Sequence, residues 1–481
     1  MSTAMTSRAR SHRSPRRPTA LALGLAALLT GCASVDPMPG FGAVQQVARE
    51  RLGKDLVWAR SDADQALVDA RVAELLAAPL TVDAAAQAAL LNNRGLQAEF
   101  HALGIAAADV VQAGRLSNPG VRFGRLVRGD EVEFETGLHL NLARLLMRPQ
   151  LQQLAARRAD QTRGEVTLRM LRLAADTRKA WIDAVAAEQT SHYQRQVAQA
   201  AEAGAELARR MAQVGNFNAL QQAREAAFHA DALTNLARAG IAERAARERL
   251  VRRLGLWGAA TGFTLPQRLP DLPESPRDQP AIEQLAMAGR LDVQAARLAA
   301  ETTGLALGGT RSTRFVNVLE LGVARNRSNE APTQRGWEVG LELPLFDWGD
   351  ARVARAESVY AQALQRTAEV AVNARSEVRE AYGNYRAAWD IARHHRDLLV
   401  PLRQRIADEN LLRYNGMLIG VFELLADARA QIAGVNAAID ALRDFWRAQS
   451  DLDMALVGPA ELGQASGPAP AAGAPGTGGG H

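Results

Sequence analysis

The chain has 481 residues, a formal net charge of +5 and a single cysteine. Apolar residues make up 47% of it, which excludes a disordered chain, and one cysteine excludes an internal disulfide framework or a cysteine-rich metal site. Aromatics are only 5%, whereas about one residue in five is Ala, far above ordinary usage. Ala favours helix and lets helices approach closely, so long, thin helical packing is expected. A sequence pI near 9.8 suggests nucleic acid or an anionic surface. That suggestion fails. Residues 1–31 hold Arg8, Arg10, Arg13, Arg16 and Arg17 and no Asp or Glu, and without these charges the +5 falls to zero. The basicity belongs to the leader, and no nucleic-acid partner is expected.

The basic start is followed by the apolar segment Ala20 to Leu29, then Leu29-Thr30-Gly31-Cys32. The apolar run suits a secretory leader and is well short of the roughly 20 residues a spanning helix needs. The tetrapeptide resembles the bacterial lipobox, so residues 1–31 read as a lipoprotein signal peptide and Cys32 as the acylated, palmitate-bearing anchor. Arg16-Arg17 hints at twin-arginine export, but no further pattern of that kind follows. Ala33 follows the cysteine; in such lipoproteins an Asp there would hold the chain at the inner membrane, so passage to the outer membrane is implied. Residues 32–80 then form the N-terminal lipid-anchored segment. No later segment has 18 or more consecutive apolar residues, which leaves β-strands as the route through a membrane.

The remainder repeats. Leu96-Gln97-Ala98 matches Val293-Gln294-Ala295 at an offset of 197, Phe134 to Leu142 matches Trp337 to Leu345 at 203, and Ala223-Arg224 matches Ala428-Arg429 at 205. Residues 81–254 and 281–458 therefore each read as helix, β-hairpin and long helices. The hairpins fall at 121–142 and 315–346. In the first, Val132, Phe134, Leu138, Leu140 and Leu142 fall on one face, against Glu131, Glu133, Glu135, His139 and Asn141. In the second, Trp337, Val339, Leu341, Leu343 and Leu345 oppose Glu338, Gly340 and Glu342, and Phe315, Leu319, Leu321 and Val323 alternate before them. Such strands suit lipid outside and water inside; a soluble sheet with one solvated face would show the same period.

Leu145 to Val214 reads as one helix of about 105 Å at 1.5 Å per residue. Gly349 to about Tyr414 is its counterpart, with a kink expected at Pro401. Two shorter helices carry heptad-like seams, Val421, Leu425, Ala428, Ile432, Val435, Ile439, Leu442 and Trp446 in one, Ala223, Ala226, Ala230, Leu233 and Ala237 in the other. A solitary rod-like coiled coil would also have such seams, but it leaves the hairpins without a role. Residues 255–280 hold Pro266, Pro270, Pro273, Pro276 and Pro280 and read as an equatorial connector. The tail 459–481 is low in complexity and expected to be disordered.

These residues resemble the TolC-like family of outer-membrane efflux proteins, in its lipoprotein branch. The most specific piece is Pro344-Leu345-Phe346-Asp347-Trp348-Gly349, similar to the family's P-L-F-D-x-G. Pro344 would end strand pairing, and Asp347 would cap the next helix. Asn141-Leu142-Ala143-Arg144 stands there in the first half, so its strand-to-helix joint is expected to be looser. A family tip motif, Y-x-x-G-x-x-S/T-x-x-D-x-L, is kept only in part. Tyr414, Glu423 and Leu425 fit, the Gly is one place early at Gly416, and Gly420 replaces the Ser/Thr. Gly215, Asn216, Tyr414, Gly416 and Met417 are the adaptor-tip candidates that the resemblance implies. Glu423 and Asp427 are the pore-gate candidates, with ordinary surface acids as the other reading.

The resemblance implies a mainly α fold in which a long helical coiled-coil barrel continues a small membrane β-barrel. With four strands per protomer, a homotrimer would close twelve. It implies a passive exit duct for drugs or heavy-metal ions, joined through a periplasmic adaptor to an inner-membrane pump of the resistance-nodulation-division type, and embedded in outer-membrane lipid. A type I secretion duct for a polypeptide, a periplasmic adaptor and a non-transporting envelope lipoprotein are the rivals. No catalysis, cofactor or metal site is expected: HExxH, GxSxG and Walker patterns are missing, and His394-His395 point about 100° apart on a helix.

Overall fold

A computed structural model describes residues 40–315, 318–342 and 344–460. Cys32, Leu343, the leader and nearly all of the tail lie outside the described residues. Three short helices come first: α1 (Phe41–Leu52), α2 (Asp62–Leu76) and α3 (Val82–Asn92). Then α4 (Arg94–Gly114) leads into β1 (Gly120–Arg128) and β2 (Glu131–Asn141), followed by α5 (Leu142–Gln213) and α6 (Ala219–Leu254). The second half repeats this with α7 (Ile282–Gly289), α8 (Leu291–Ser312), β3 (Leu319–Ser328), β4 (Gln334–Leu341), α9 (Asp350–His394), a π turn (His395–Leu399), α10 (Val400–Asn415) and α11 (Val421–Ala455).

The four strands form one antiparallel sheet in the order β1-β2-β3-β4. The two hairpins are joined by the β2–β3 pair, in which Leu138 faces Val323 and Leu140 faces Leu321. Next to the sheet, α4 and α8 pack on α5 and α9, and α5 meets α8. Further down, α6 packs on α5, α5 on α11, and α11 on α9 and α10. Each level is thus a row of four elements, and among the described residues no further strand or long helix covers either end of a row.

Helix α5 has 72 residues, about 108 Å at 1.5 Å each. It starts three residues before the expected point and runs through Pro149. The kink expected at Pro401 takes another form. Pro401 has no N–H for the carbonyl four residues back, and its ring crowds that carbonyl. The backbone widens just upstream into the π turn, where Val400 N–H donates to His395 O.

Most of the core is equatorial. One buried cluster joins α2, α3, α5 and α6 around Trp181, Val185, Leu250 and Leu254. Another joins α7, α9 and α11 around Tyr385, Trp389 and Phe445. The proline-rich connector is held through its carbonyls, which prolines retain. Trp389 Nε1 donates to Pro273 O at 3.1 Å, Trp446 Nε1 to Pro270 O at 3.0 Å and Arg396 to Leu272 O at 3.2 Å.

The two halves share a closing device. The last carbonyls of a helix lack intrahelical partners. At the α3–α4 junction, Asn92 donates to Leu254 O at 3.1 Å and Gly255 O at 2.8 Å, and Asn93 to Arg253 O at 3.0 Å. At the α7–α8 junction, Arg290 stands where Asn93 does. It donates to Ala455 O at 3.1 Å and pairs with Asp292 and Glu377, each at 2.7 Å. Its side chain is 1% exposed. Arg290→Ala leaves two carboxylates facing an empty site. It is expected to cost about 3–5 kcal/mol, read as a lowered unfolding midpoint in urea, with Arg290→Lys between the two.

Candidate functional site

The sheet sorts its side chains by face. Paired residues of an antiparallel ladder share a face. One face carries Val121, Phe123, Phe134, Leu138, Leu140, Leu321, Val323, Trp337, Val339 and Leu341. All of them are exposed, Phe123 at 82% and Trp337 at 74%. The other face carries Glu131, Glu133, Glu135, His139, Glu320 and Glu338 and is concave. It encloses a groove of about 240 Å³ lined by Arg122, Glu135, His139, Glu320, Asn326 and Glu338.

At the level of the equator the row of long helices is concave as well. A groove of about 670 Å³ runs over α5 and α11 between α6 and α9. Its wall alternates Ala, including Ala186, Ala242, Ala381 and Ala388, with ionised groups. Arg447 meets Asp183 at 2.6 Å, Lys179 meets Asp451 at 2.8 Å, and Arg443 spans Asp440 at 2.8 Å and Asp444 at 2.9 Å. The first two pairs tie α5 to α11, whereas the Arg443 pairs lie within α11. Burial pushes the Asp440 carboxyl up from its ordinary value, against the opposing pull of Arg443. Glu188 on α5 is also raised, by burial and then by the charge of Glu243.

The strand-to-helix joints differ between the halves, in the reverse of the expected sense. β2 passes straight into α5, with Asn141 Oδ1 accepting from Arg144 N at 2.8 Å as a true N-cap. The second joint is the longer one. β4 ends at Leu341, and Pro344 lies in the segment before α9. Asp347 does not cap the first turn of α9. Its carboxylate accepts from Gly349 N at 2.8 Å and so fixes the residue that precedes the helix. Gly349 has φ +73°, and a Cβ there would meet Arg314 O at 2.7 Å, so glycine is required. Phe346 is 99% exposed, and Trp348 stacks edge-on against Phe315 at 6.5 Å. This puts an aromatic rim at the base of the apolar face.

At the far end are two helical turns. In the first, Gly215 has φ +81°, Asn216 N donates to Met211 O at 2.9 Å, and Asn218 caps α6. In the second, Gly416 has φ −80°, and the left-handed place belongs to Met417, at φ 59°. Helices α6 and α11 start at Ala219 and Val421, 202 residues apart, which makes Met417 the counterpart of Gly215. The Ala-Arg match at offset 205 does not follow this alignment and reflects composition. Met417 and Leu418 stand out from the turn, 92% and 78% exposed, and Tyr414 lies beside them.

The two gate candidates lie one turn apart on α11. Glu423 is exposed. Asp427 turns into the hairpin and accepts a hydrogen bond from Asn410, which is buried. A neighbouring tie escapes sequence inspection. Glu225 on α6, 3% exposed, pairs with Arg429 on α11 at 3.4 Å, and Arg429 also covers the Phe228 ring at 4.3 Å. The seam read on α11 is covered, with Ile439 buried and Leu442 and Trp446 partly so. The seam read on α6 is not: Ala223, Ala226, Ala230, Leu233 and Ala237 are all exposed. The face that α6 buries runs through Glu225, Ala232, Ala246 and Leu250.

No protein-family model matches the sequence, and comparison with curated proteins finds no relative. Solved structures do match. CusC, described for its transmembrane channel formation, aligns over 79% of this chain and 92% of its own at 16% identity and a TM-score of 0.65. The Campylobacter jejuni CmeC outer membrane channel aligns over 78% and 85%, at 14% identity and 0.65. The outer-membrane channel OprN aligns over 84% and 97%, at 17% identity and 0.64. The chain has the fold of these outer-membrane channels. Among the described residues, no helix is long and apolar enough to cross a membrane, and no cluster of His, Cys, Asp and Glu could hold a metal ion.

Two consequences are measurable. A side chain in the left-handed region costs about 1–2 kcal/mol against glycine. Met417→Gly is therefore expected to raise the unfolding midpoint by about that energy, while Gly215→Met lowers it. For Glu188, a carboxyl raised in the folded state takes up its proton there before it does in the unfolded chain. Stability then rises as pH falls through that range. Glu188→Gln is expected to stabilise at neutral pH, with the gain shrinking toward pH 4; a gain independent of pH would contradict the assignment.

Proposed function

We propose that this chain is the passive outer-membrane exit duct of a tripartite efflux system. One observation carries the reading. A sheet with an exposed apolar face and an acidic concave face runs directly into helices of about 100 Å, and the wall is open at both edges from end to end. Open strand edges in lipid would leave N–H and C=O groups unpaired at several kcal/mol each. Copies of the chain, joined edge to edge, remove that cost. The resemblance to TolC-like proteins and the channel fold support three copies and a twelve-stranded barrel.

In that assembly the apolar face meets lipid, and the acidic face lines the water path. The exposed Ala seam of α6 packs on the next protomer. Cys32 carries the lipid anchor. The helical turns at Gly215, Asn216, Tyr414, Gly416 and Met417 face a periplasmic adaptor, which joins the duct to an inner-membrane pump of the resistance-nodulation-division type. The cargo is a small toxic solute, a drug or a heavy-metal ion. The transporter supplies the energy, and the duct supplies a path with charged walls.

The purified lipidated protein is expected to have the mass of a trimer in mild detergent and to conduct ions in discrete steps across a planar bilayer. A monomer without conductance would sink the proposal. Glu423→Ala together with Asp427→Ala is expected to weaken cation selectivity. Unchanged conductance and selectivity would remove both acids from the gate.

A further inference from the structure

The lipid-side face of the sheet is not uniformly apolar. Two adjacent rows of cross-strand neighbours near the hairpin turns carry arginines. Arg125, Phe134 and Arg327 form one row. Phe123, Thr136, Arg325 and Arg335 form the next, with Arg325 directly opposite Arg335. All four guanidinium groups are exposed. None of the four has a hydrogen bond or ion pair within the described residues. The carboxylates of the strands, Glu131, Glu133, Glu135, Glu320 and Glu338, all alternate to the opposite face.

This is an unfavourable arrangement unless something neutralises it. Like charges directly opposite across a ladder repel. The surroundings are apolar on both sides. Val121, Leu138, Val323 and Trp337 form the next row toward the helices, and Val127 pairs with Val132 on the turn side. Cations on a lipid-facing strand are tolerated near the interface and not at mid-depth. The turns point away from the helices, so this interface belongs to the leaflet opposite the periplasm. The spacing fits a headgroup with more than one anion. Directly opposite residues stand about 5 Å apart, and same-face residues on one strand about 6.6 Å. Guanidinium groups bind phosphate in a bidentate way, and clusters of them select anionic headgroups.

We propose that Arg125, Arg325, Arg327 and Arg335 form a binding site for a lipid carrying two phosphates in its headgroup, in the outer leaflet. The inference rests on the barrel reading above, because it takes this face to be the lipid face. Charge complementarity commits the site to the phosphorylated lipid. Free phosphate has no apolar part to meet Phe123, Phe134 and Trp337.

The test uses the full lipidated protein in neutral detergent micelles. Binding of bis-phosphorylated lipid A is compared with that of the same lipid after phosphate removal, by native mass spectrometry. A preference of about tenfold or more is expected. R325Q/R327Q is expected to lose most of it, and the single variant R335Q part of it. Circular dichroism identifies any variant that has not folded, in which case R335Q decides. The control R122Q, on the opposite face, keeps the preference. Three results would overturn the proposal: no preference in the wild type, equal binding of phosphatidylglycerol, or displacement by inorganic phosphate at the lipid's own concentration. Conductance of the wild type in a zwitterionic bilayer tests the barrel separately. Its absence would defeat that reading, whereas conductance without lipid preference would defeat only this one.

Discussion

Unpaired backbone at the edges of a four-stranded sheet is the constraint on which the rest of the molecule depends. Among the described residues, β1 and β4 each present one row of N–H and C=O groups to no further strand. Natural sheets protect such edges with short strands, prolines, bulges or a covering helix. Here the edge strands have 9 and 8 residues and run alongside exposed apolar side chains. The open flanks continue downward, because each tier of helices is again a row of four. A neighbour on one flank leaves the other open, so contacts of this kind close only as a ring. The exposed Ala face of α6 is then the helical continuation of the edge of β1.

Stability and movement are divided along the length. The equator holds the large side chains, the connector clamps and the buried Arg290. The lower helices hold a small cluster of Val197, Ala198, Ala201 and Ala232. There α6 and α11 are joined by the pair of Glu225 with Arg429, and the hairpin of α10 and α11 by Asn410 with Asp427. Among the described residues of α10, Asn410 alone is buried. Segments with few buried apolar contacts open locally at lower free energy than the core. The π turn at His395–Leu399 marks the change of regime on the second long helix, with Arg396 fastened to the connector on its equatorial side.

Much of this was legible in the residues, and the exceptions have physical causes. Period 2 in the strands and the proline-free stretch after Pro149 located the sheet and α5 within a few residues, because both patterns follow directly from backbone geometry. The heptad-like Ala spacing on α6 marks a face that its own chain leaves exposed. Ala residues fall on several faces of that helix, and spacing alone cannot tell which face meets a partner in the same chain. The residue type of Asp347 suits a cap. Eight residues separate β4 from α9, against none between β2 and α5, and α9 starts three residues after Asp347, which leaves its carboxylate outside the first turn. The shared task of Asn93 and Arg290 is hidden in the residues, although the repeat aligns them at an offset of 197. An amide and a guanidinium share no identity in an alignment, yet both donate to the carbonyls at the end of a returning helix. The turn at Met417 shows the reverse case. Gly416 draws the eye, but the left-handed conformation lies one residue later.

The abundance of Ala that marks the composition follows from the thickness of the wall. In a globular domain a helix packs on several sides, and large side chains fill the space between layers. A wall one helix thick offers each helix a neighbour only to the left and the right, with solvent or a ligand path on the remaining faces. Large apolar side chains on those faces would be exposed, so small ones serve, and they permit close approach between neighbours. The loss of apolar burial is met by ties such as the ion pair of Glu225 with Arg429, whose carboxylate is buried where solvent screens it less. Only at the equator, where α1, α2, α3, α7 and the connector add a second layer, do Trp181, Tyr385, Trp389 and Phe445 find enclosed positions. The scarcity of aromatics and the surplus of Ala are two results of one geometry: a long wall with a single thickened belt.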